Sequence, residues 1–230
     1  MLESRMPDVR ENLERVRERI ARAATRAGRR PDDVLLIGVS KTVDVERIRA
    51  ALAAGLRALG ENRVQEAKTK VAELGRPAAW HLIGHLQTNK VRRALPCFDV
   101  LHSLDRRSLV EALAAETSRA GRGPLPVFIQ VNVSGESSKG GFEMNALWDA
   151  LGTVRDTGRF DVQGLMTMAP LEGGADAARP VFRRLRELRD EALGRRYLGA
   201  PNLSMGMSQD FETAVEEGAT HVRVGSLLFS

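Results

Sequence analysis

Eight short apolar runs alternate with helical segments along this chain, and that alternation limits the folds open to it more than any other feature. The first run, VLLIGVS at residues 34–40, is rich in β-branched residues, and the segment after it has helical spacing and ends at Gly55. Comparable runs begin at residues 56, 80, 100, 126, 162, 202 and 221. Strands that alternate with helices form a parallel sheet with the helices packed on its faces. The sequence therefore predicts an α/β fold.

The predicted sheet could be a closed barrel or an open, doubly wound sheet. An open dinucleotide-binding sheet should carry the pattern G-x-G-x-x-G after its first strand, whereas residues 38–46 read GVSKTVDVE. Eight strand and helix units in 230 residues match a (β/α)8 or TIM barrel. We therefore predict a single domain over residues 1–230, with an extra N-terminal helix within residues 1–30 and the barrel over residues 34–229.

The N-terminal helix is indicated by apolar residues at helical spacing in a charged segment. Val9, Leu13, Val16 and Ile20 recur every three or four residues, which predicts an amphipathic helix over residues 8–27. The charged N-terminus lacks the apolar core of a signal peptide, and no run approaches the roughly 18 apolar residues of a transmembrane helix. Cys97 is the only cysteine, which excludes a disulfide within the chain. These features predict a cytoplasmic protein without a membrane partner.

The formal net charge of +5 does not by itself indicate nucleic-acid binding. Arginine occurs beside glutamate throughout the predicted helices, as on salt-bridged helix faces, and aromatic residues make up only 4% of the chain. The sequence has no basic stripe interleaved with aromatic residues, so we predict no nucleic-acid partner. Only five of the 35 basic residues are lysines, which makes each lysine informative.

Functional residues of such barrels lie at the C-terminal ends of the strands, and there this sequence is polar. Lys41 directly follows the first apolar run, so it should lie at the barrel mouth, where apolar walls disfavour its charge and could make its amine nucleophilic. A lysine that simply extends into solvent is the competing interpretation. The last strand neighbours the first in a closed barrel, so residues at its end should lie beside Lys41. Arg223, Gly225 and Ser226 at that end suit a phosphate group, and Ser204 comes from the preceding strand.

Seven segments in order carry a resemblance to a known family. They are GVSK, GENRVQEAKTK, HLIGHLQTNK, HSLD, QVNVSGESSKGGF, GLMTMAP and LSMGMSQDFETAVEEGATHVRVGS. Together they resemble the pyridoxal phosphate homeostasis protein family, a single-domain relative of the alanine racemase barrel. The sequence departs from that family at Arg63, where tyrosine is usual, and at the end LLFS with Ser230, where a glycine-containing end is typical.

The resemblance implies that the chain binds pyridoxal 5'-phosphate (PLP) as a Schiff base on Lys41. It implies that Ser204, Gly225 and Ser226 surround the phosphate, and that Arg223 lies near the pyridine nitrogen or the phosphate. Residues at other strand ends would complete the pocket, namely Asn62, His85, Ser103, Asn132 and Met166.

The same resemblance implies a protein that stores, buffers or delivers PLP to PLP-dependent apoenzymes, with little or no catalysis. PLP enzymes work best when a carboxylate keeps the pyridine nitrogen protonated, whereas an arginine would leave it unprotonated. Two-base racemisation needs a second acid or base, and Tyr197, the single tyrosine, precedes the seventh predicted strand. An amino acid racemase or another weak PLP enzyme stays open as the alternative, as does a phosphate-binding barrel without PLP. A monomer is predicted, because racemase-type dimers complete their sites with a second domain.

The histidines and one aspartate are given structural roles. His81 and His85 would lie roughly 13 Å apart on a strand, too far for one metal ion, so no metal site is predicted. His102 and His221 are predicted to pack in the interior, and Asp210 to be the N-cap of the helix that follows it.

Overall fold

The computed structural model describes residues 8–136 and 138–230 of the chain. Its first element is helix α1 (Val9–Arg26), which begins where the side chain of Asp8 accepts a hydrogen bond from the backbone N–H of Arg10. The helix predicted over residues 8–27 is therefore confirmed. The part of the N-terminal prediction that covers residues 1–7 lies outside the described residues.

Parallel strands close into an eight-stranded barrel, as predicted. Within the described residues the strands are β1 (Leu35–Val39), β2 (Ala58–Glu61), β3 (Ala79–Leu82), β4 (Val100–Leu104), β5 (Leu125–Asn132), β6 (Phe142–Glu143), β7 (Phe160–Met166), β8 (Asn202–Met207) and β9 (His221–Val224). The short β6 pairs only with β5, and the other eight pair in chain order. The barrel closes because β9 pairs with β1, where Leu35 lies opposite His221.

Helices follow the strands in the alternation that the sequence predicts. They are α2 (Val45–Ala53), α3 (Val64–Leu74), α4 (Val91–Ala94), α5 (Arg107–Arg119), α6 (Leu147–Asp156), α7 (Gly174–Gly194), α8 (Phe211–Glu216) and α9 (Ser226–Phe229). Short 3-10 turns occupy Pro31–Asp33, Thr88–Lys90 and Met144–Ala146. Among residues 8–136 and 138–230, no helix combines the length and the apolar character needed to cross a membrane.

The last apolar run differs from the prediction. We expected a strand over residues 221–229, but β9 ends at Val224 and residues 226–229 form α9. The carbonyl of Gly225 accepts hydrogen bonds from the N–H groups of Leu228 and Phe229. Adjacent residues of a strand face opposite sides, whereas this helical turn buries Leu228 and Phe229 together, with exposed fractions of 0% and 5%.

Helix α1 packs on the outside of the barrel against α8 and α9. Leu13, Val16 and Ile20 form its buried stripe, and burying one such side chain stabilises a fold by about 1.5–3 kcal/mol. The side-chain amide of Asn12 donates to the backbone carbonyls of Leu228 and Ser230, each at 3.2 Å. The helix that precedes the barrel therefore supports the segment that follows its last strand.

Candidate functional site

A cavity of about 820 Å³ opens at the C-terminal ends of the barrel strands. This volume lies in the range typical of small-molecule sites. Each barrel strand or the segment directly after it contributes to the wall. In chain order the lining residues are Val39 and Lys41, Asn62, Ile83 to His85, Asp105, Gln130 with Ser138 to Gly140, Met168 with Pro170 and Leu171, Met207 to Asp210, and Arg223 with Gly225 and Ser226. The cavity therefore lies at the end of the barrel where the sequence predicted the functional residues.

Lys41 lies in a tight turn directly after β1. The N–H of Val43 donates to the carbonyl of Ser40 at 3.0 Å, which places Lys41 and Thr42 in the two central positions of the turn. Thr42 has a φ of 59°, in the left-handed region that β-branched residues rarely adopt. Lys41 itself is exposed and belongs to the cavity wall. Its amine is therefore accessible to a ligand in the cavity.

The structure brings six of the nine predicted cofactor residues to the cavity wall. These are Lys41, Asn62, His85, Arg223, Gly225 and Ser226. The other three, Ser103, Met166 and Ser204, are at most 1% exposed and are not among the residues that line the cavity. Asn132, which the resemblance also implied, is buried as well, and its side-chain amide donates to the carbonyl of Glu136.

The three buried residues differ from the expectation because they engage other parts of the protein. The hydroxyl of Ser103 donates to the carbonyl of Gly84 at 2.6 Å, so it fixes the segment after β3. Met166 is packed among core residues at the end of β7. Ser204 lies in β8 and contacts Arg223 and His102 through its Oγ. Contact between any of these three and a cofactor stays a prediction.

Arg223 is a buried cation at the cavity floor, with 4% of its surface exposed. Its Nη1 donates to Ser204 Oγ at 2.7 Å, and its Nη2 donates to the carbonyl of Thr167 at 3.0 Å. Burial lowers the pKa of Arg223 to about 10, which still leaves the guanidinium protonated at neutral pH. Within the described part of the chain, no carboxylate forms an ion pair with it. The Asp210 carboxylate on the same wall acts on this charge through space and opposes the lowering of its pKa by burial. A ligand at this wall would therefore meet the guanidinium and the Asp210 carboxylate together.

A chain of hydrogen bonds leads from Arg223 into the barrel interior. His102 Nδ1 lies 2.8 Å from Ser204 Oγ, and His102 Nε2 lies 2.8 Å from His81 Nδ1. Because Ser204 accepts from the guanidinium, its own proton is satisfied if it donates to His102 Nδ1. His102 then carries its proton on Nε2 and donates it to His81, an assignment made from the network. These contacts join Arg223, Ser204, His102 and His81 in one chain of hydrogen bonds.

The histidines of the interior are neutral. Burial lowers the pKa of His81 to about 4 and that of His221 to about 3, and it holds the pKa of His102 well below its usual value. The rings of His81, His102 and His221 lie with their centroids 5.0–6.5 Å apart, beside Phe128. His102 is fully buried and His221 is partly buried against the same rings, so both are packed structural histidines, as predicted from the sequence.

Small residues and backbone amides surround one end of the cavity, beside Lys41. The N–H of Gly225 lies 3.3 Å from Ser208 Oγ, and a β-carbon on Gly225 would approach the carbonyl oxygen of Val39 to 3.2 Å. Within the described residues, the N–H groups of Ser226 and Leu227 at the start of α9 donate to no backbone acceptor, whereas those of Leu228 and Phe229 donate to the Gly225 carbonyl. Successive backbone N–H groups of this kind can bind an anion. We call Ser208, Gly225 and Ser226 the amide cradle.

Two carboxylates that the sequence did not assign to the site also line the cavity. Asp105 directly follows β4, and its carboxylate contacts His85 Nδ1 at 2.7 Å and Arg106 Nη1 at 2.5 Å. Asp210 occupies the N-cap position of α8, but its side chain makes no capping hydrogen bond and instead accepts from the N–H of Met207 at 2.5 Å. Burial raises the pKa of Asp210. Asp210 thus closes the loop after β8 and faces the cavity.

Gln130 and Lys139 are further lining residues that the sequence did not assign to the site. The side-chain amide of Gln130 donates to the carbonyl of Gly140 at 2.7 Å. Lys139 Nζ lies 2.9 Å from Glu136 Oε1 and 2.6 Å from the carbonyl of Ala169. The signal that could have found them is their position, because both belong to β5 or to the loop that follows it.

Comparisons with known proteins identify the family to which this chain belongs. Residues 12–230 match the protein family described as alanine racemase, N-terminal domain. A pyridoxal phosphate homeostasis protein of Aquifex aeolicus is 46% identical over 222 residues, which cover 95% of this chain and 96% of the relative. A protein of the same name from Pseudomonas aeruginosa is 44% identical, and the match covers 97% of this chain and 96% of the relative. The structure of PipY of Synechococcus elongatus with PLP bound has a TM-score of 0.80 at 38% identity, over 94% of this chain and 100% of that one. This chain therefore belongs to the pyridoxal phosphate homeostasis protein family, within the wider family of alanine racemase N-terminal domains.

Proposed function

We propose that this protein binds PLP as a Schiff base on Lys41 and serves in PLP homeostasis, with little or no catalysis. The observation that carries the proposal is the arrangement of three unlike groups around one cavity. An exposed lysine amine, a buried guanidinium and an amide cradle all border the same space. These groups suit, respectively, the aldehyde, the ring nitrogen or phosphate, and the phosphate of one PLP molecule.

The residues present fit the phosphate end of PLP. The amide cradle offers N–H groups and hydroxyls where β9 ends, and Lys41 belongs to the same wall. Gly206 in β8 keeps the adjoining loop close to α8, because its φ is 94° and a β-carbon would lie 2.5 Å from the β-carbon of Ala214. The loops after the last two barrel strands are a frequent phosphate site in barrels of this type.

Arg223 supports a binding role over a catalytic one. When bound, PLP can act as an electron sink, and it does so best with a protonated pyridine nitrogen. Arg223 has donors only and keeps its proton at neutral pH, so a ring nitrogen placed against it would be held as an unprotonated acceptor. The residues here would bind and orient the cofactor while leaving it a weak sink.

An amino acid racemase or another weak PLP enzyme is the second candidate, and Asp210 is the observation that favours it. Its carboxyl lines the cavity and burial raises its pKa, so it could exchange a proton with a ligand. Tyr197 is not available for such a role, because it packs beside Trp148 with 6.1 Å between ring centroids and is not among the lining residues. Turnover of free amino acids by the purified protein, lost in Asp210→Asn, would favour this candidate.

The partners and the setting of the protein follow from the same proposal. We propose that residues 1–230 act as one PLP-binding domain in the cytoplasm and pass PLP to PLP-dependent apoenzymes. Neither a nucleic acid nor a membrane is needed for this role.

The protein should be a monomer in solution. Each barrel strand or the segment directly after it already contributes to the cavity wall, so no group from a second subunit is needed to complete it. Light scattering at several concentrations should give a constant mass near 25.2 kDa. A tight dimer that brings partner residues to the cavity would contradict the prediction.

Reductive capture tests the proposal directly. The purified protein should become yellow with PLP, and treatment with borohydride should fix the cofactor irreversibly, because hydride reduces an imine to a stable amine. After digestion, mass spectrometry should find the adduct on the peptide that contains Lys41. An adduct on Lys90 or Lys139, or none with PLP in excess, would reject the assignment. A reduction performed without PLP provides the blank.

A further inference from the structure

The turn that carries Lys41 is fixed through the residue before it. Ser40 is fully buried, and its polar groups are all engaged. Its N–H donates across to β2, its hydroxyl donates to Glu61 Oε1 at 2.7 Å, and its carbonyl accepts from the N–H of Val43. The orientation of the peptide between Ser40 and Lys41 is therefore set from the barrel wall.

A buried ion pair reaches the same carbonyl. Lys70 Nζ, from α3, donates to the carbonyl of Ser40 at 2.5 Å and to Glu61 Oε1 at 2.7 Å. Glu61 is 0% exposed, and its Oε2 is buried without a hydrogen-bond partner among the described residues. A buried pair whose carboxylate is incompletely hydrogen-bonded is a weak source of stability. The contact between this ion pair and the Ser40 carbonyl therefore calls for an explanation other than stability of the fold.

Helix α3 also holds the turn at a second point. The N–H of Thr42 donates to Glu66 Oε2 at 3.2 Å, and Glu66 lies one helical turn before Lys70 on the same face of α3. The positive φ of Thr42 costs on the order of 1–3 kcal/mol and persists only where the surroundings impose it. Two contacts from α3, on either side of Lys41, supply that restraint.

We propose that Lys70 and Glu61 are positioning residues that hold the turn from Ser40 to Val43 and thereby direct the amine of Lys41 into the cavity. Neither side chain lines the cavity, so both act through Ser40. The carbonyl of Ser40 accepts one hydrogen bond from the N–H of Val43 and one from Lys70 Nζ. A rotation of the turn would break both hydrogen bonds. The inference rests on the proposed function in that Lys41 is taken as the cofactor lysine.

The double variant Glu61→Gln with Lys70→Met tests the proposal. It keeps the side-chain volumes, leaves an acceptor for the Ser40 hydroxyl and leaves no unpaired charge in the interior. Loss of a hydrogen bond from a charged donor corresponds to a factor of about ten. We therefore expect the Val43 amide of the PLP-free protein to exchange hydrogen about tenfold faster than in the wild type. The Ile37 amide in β1 should not change. Affinity for PLP should fall by about tenfold as well.

A matched control separates positioning from general loss of stability. Arg19→Met with Glu212→Gln removes an ion pair of the same length, with Arg19 Nη2 at 2.7 Å from Glu212 Oε2, between α1 and α8. The control should leave Val43 exchange and PLP affinity unchanged. If the first double variant does not unfold cooperatively, Glu61→Gln with Lys70→Gln is the second variant, because it replaces the charged donor with a neutral one and leaves no unpaired charge. It should shift Val43 exchange in the same direction by about threefold.

Unchanged Val43 exchange in the folded double variant would overturn the inference, as would an equal change in the control. Failure of the proposed function has a different signature. In that case the wild type would not take up PLP, while the exchange measurement on the PLP-free protein would still decide whether Lys70 and Glu61 hold the turn.

Discussion

Lys41→Ala should abolish the imine absorbance of bound PLP and reductive capture. An imine needs a primary amine, and alanine has none. We expect affinity for PLP to fall by at least about 100-fold, equivalent to about 2.7 kcal/mol, with the remaining binding carried by the phosphate contacts. The fold should be retained, because Lys41 is exposed and its removal leaves no cavity in the core. Absorbance titration with PLP measures the first effect, and urea unfolding checks the second.

Lys139→Ala is the matched control, since Lys139 is the second lysine of the cavity wall. Its ammonium donates to Glu136 and to the carbonyl of Ala169, so it is already engaged. The control should keep the imine absorbance and the adduct on Lys41. Capture in Lys41→Ala with the label on Lys139 would mean that the cavity, rather than the turn after β1, determines where the imine forms.

Acidification should unfold the protein well before its carboxylates are fully protonated. His81 and His221 have native pKa values of about 4 and about 3, below the ordinary 6.5 of an unfolded histidine. The unfolded state therefore takes up protons as the pH falls below 6.5, while the native state does not. At about pH 4.5 the buried His81 removes about 2.5 kcal/mol of stability, and His221, which is partly exposed, removes less. Their joint effect is a large share of the roughly 5–15 kcal/mol that stabilises a typical domain.

Urea unfolding at several pH values between about 7.5 and 4.5 measures this loss. His221→Asn should flatten the dependence of the unfolding free energy on pH by up to about 1.4 kcal/mol per pH unit, because one titrating group is removed from the interior. His85→Asn is the control, since the side chain of His85 is 58% exposed. Equal pH dependence in the wild type and in His221→Asn would contradict the assignment of the acid sensitivity to the buried histidines.

The alternation of apolar runs and helical segments predicted the barrel well, because each predicted run overlaps a strand of the barrel. Strand β4 begins and ends where the apolar run does, at Val100 and Leu104. The main departure lies after Val224, where an apolar run continues but its residues are helical. Apolar composition alone does not separate a strand from one turn of buried helix.

The candidate site could be located from the sequence but not resolved to individual side chains. Position at a strand end found Lys41 and Arg223, yet the same criterion also selected Ser204 and Met166, which are buried away from the cavity wall. Successive residues of a strand face opposite sides, so an offset of one position changes the environment of a side chain. In β9, for example, Arg223 lines the cavity while the adjacent Val224 is fully buried and does not. Which face meets the cavity depends on the barrel as a whole.

The pairing of β1 with β9 has a consequence for the order of events in folding and biosynthesis. Lys41 follows the first barrel strand and the amide cradle follows the last two, and Lys41 meets Gly225 and Ser226 only when Leu35 aligns with His221. Contacts between residues so distant in sequence form slowly, because a long loop must close before they can be made. A ribosome-bound chain whose last barrel strand has not emerged cannot assemble this site, so a nascent polypeptide would start to compete for free cofactor only after β9 has left the ribosome.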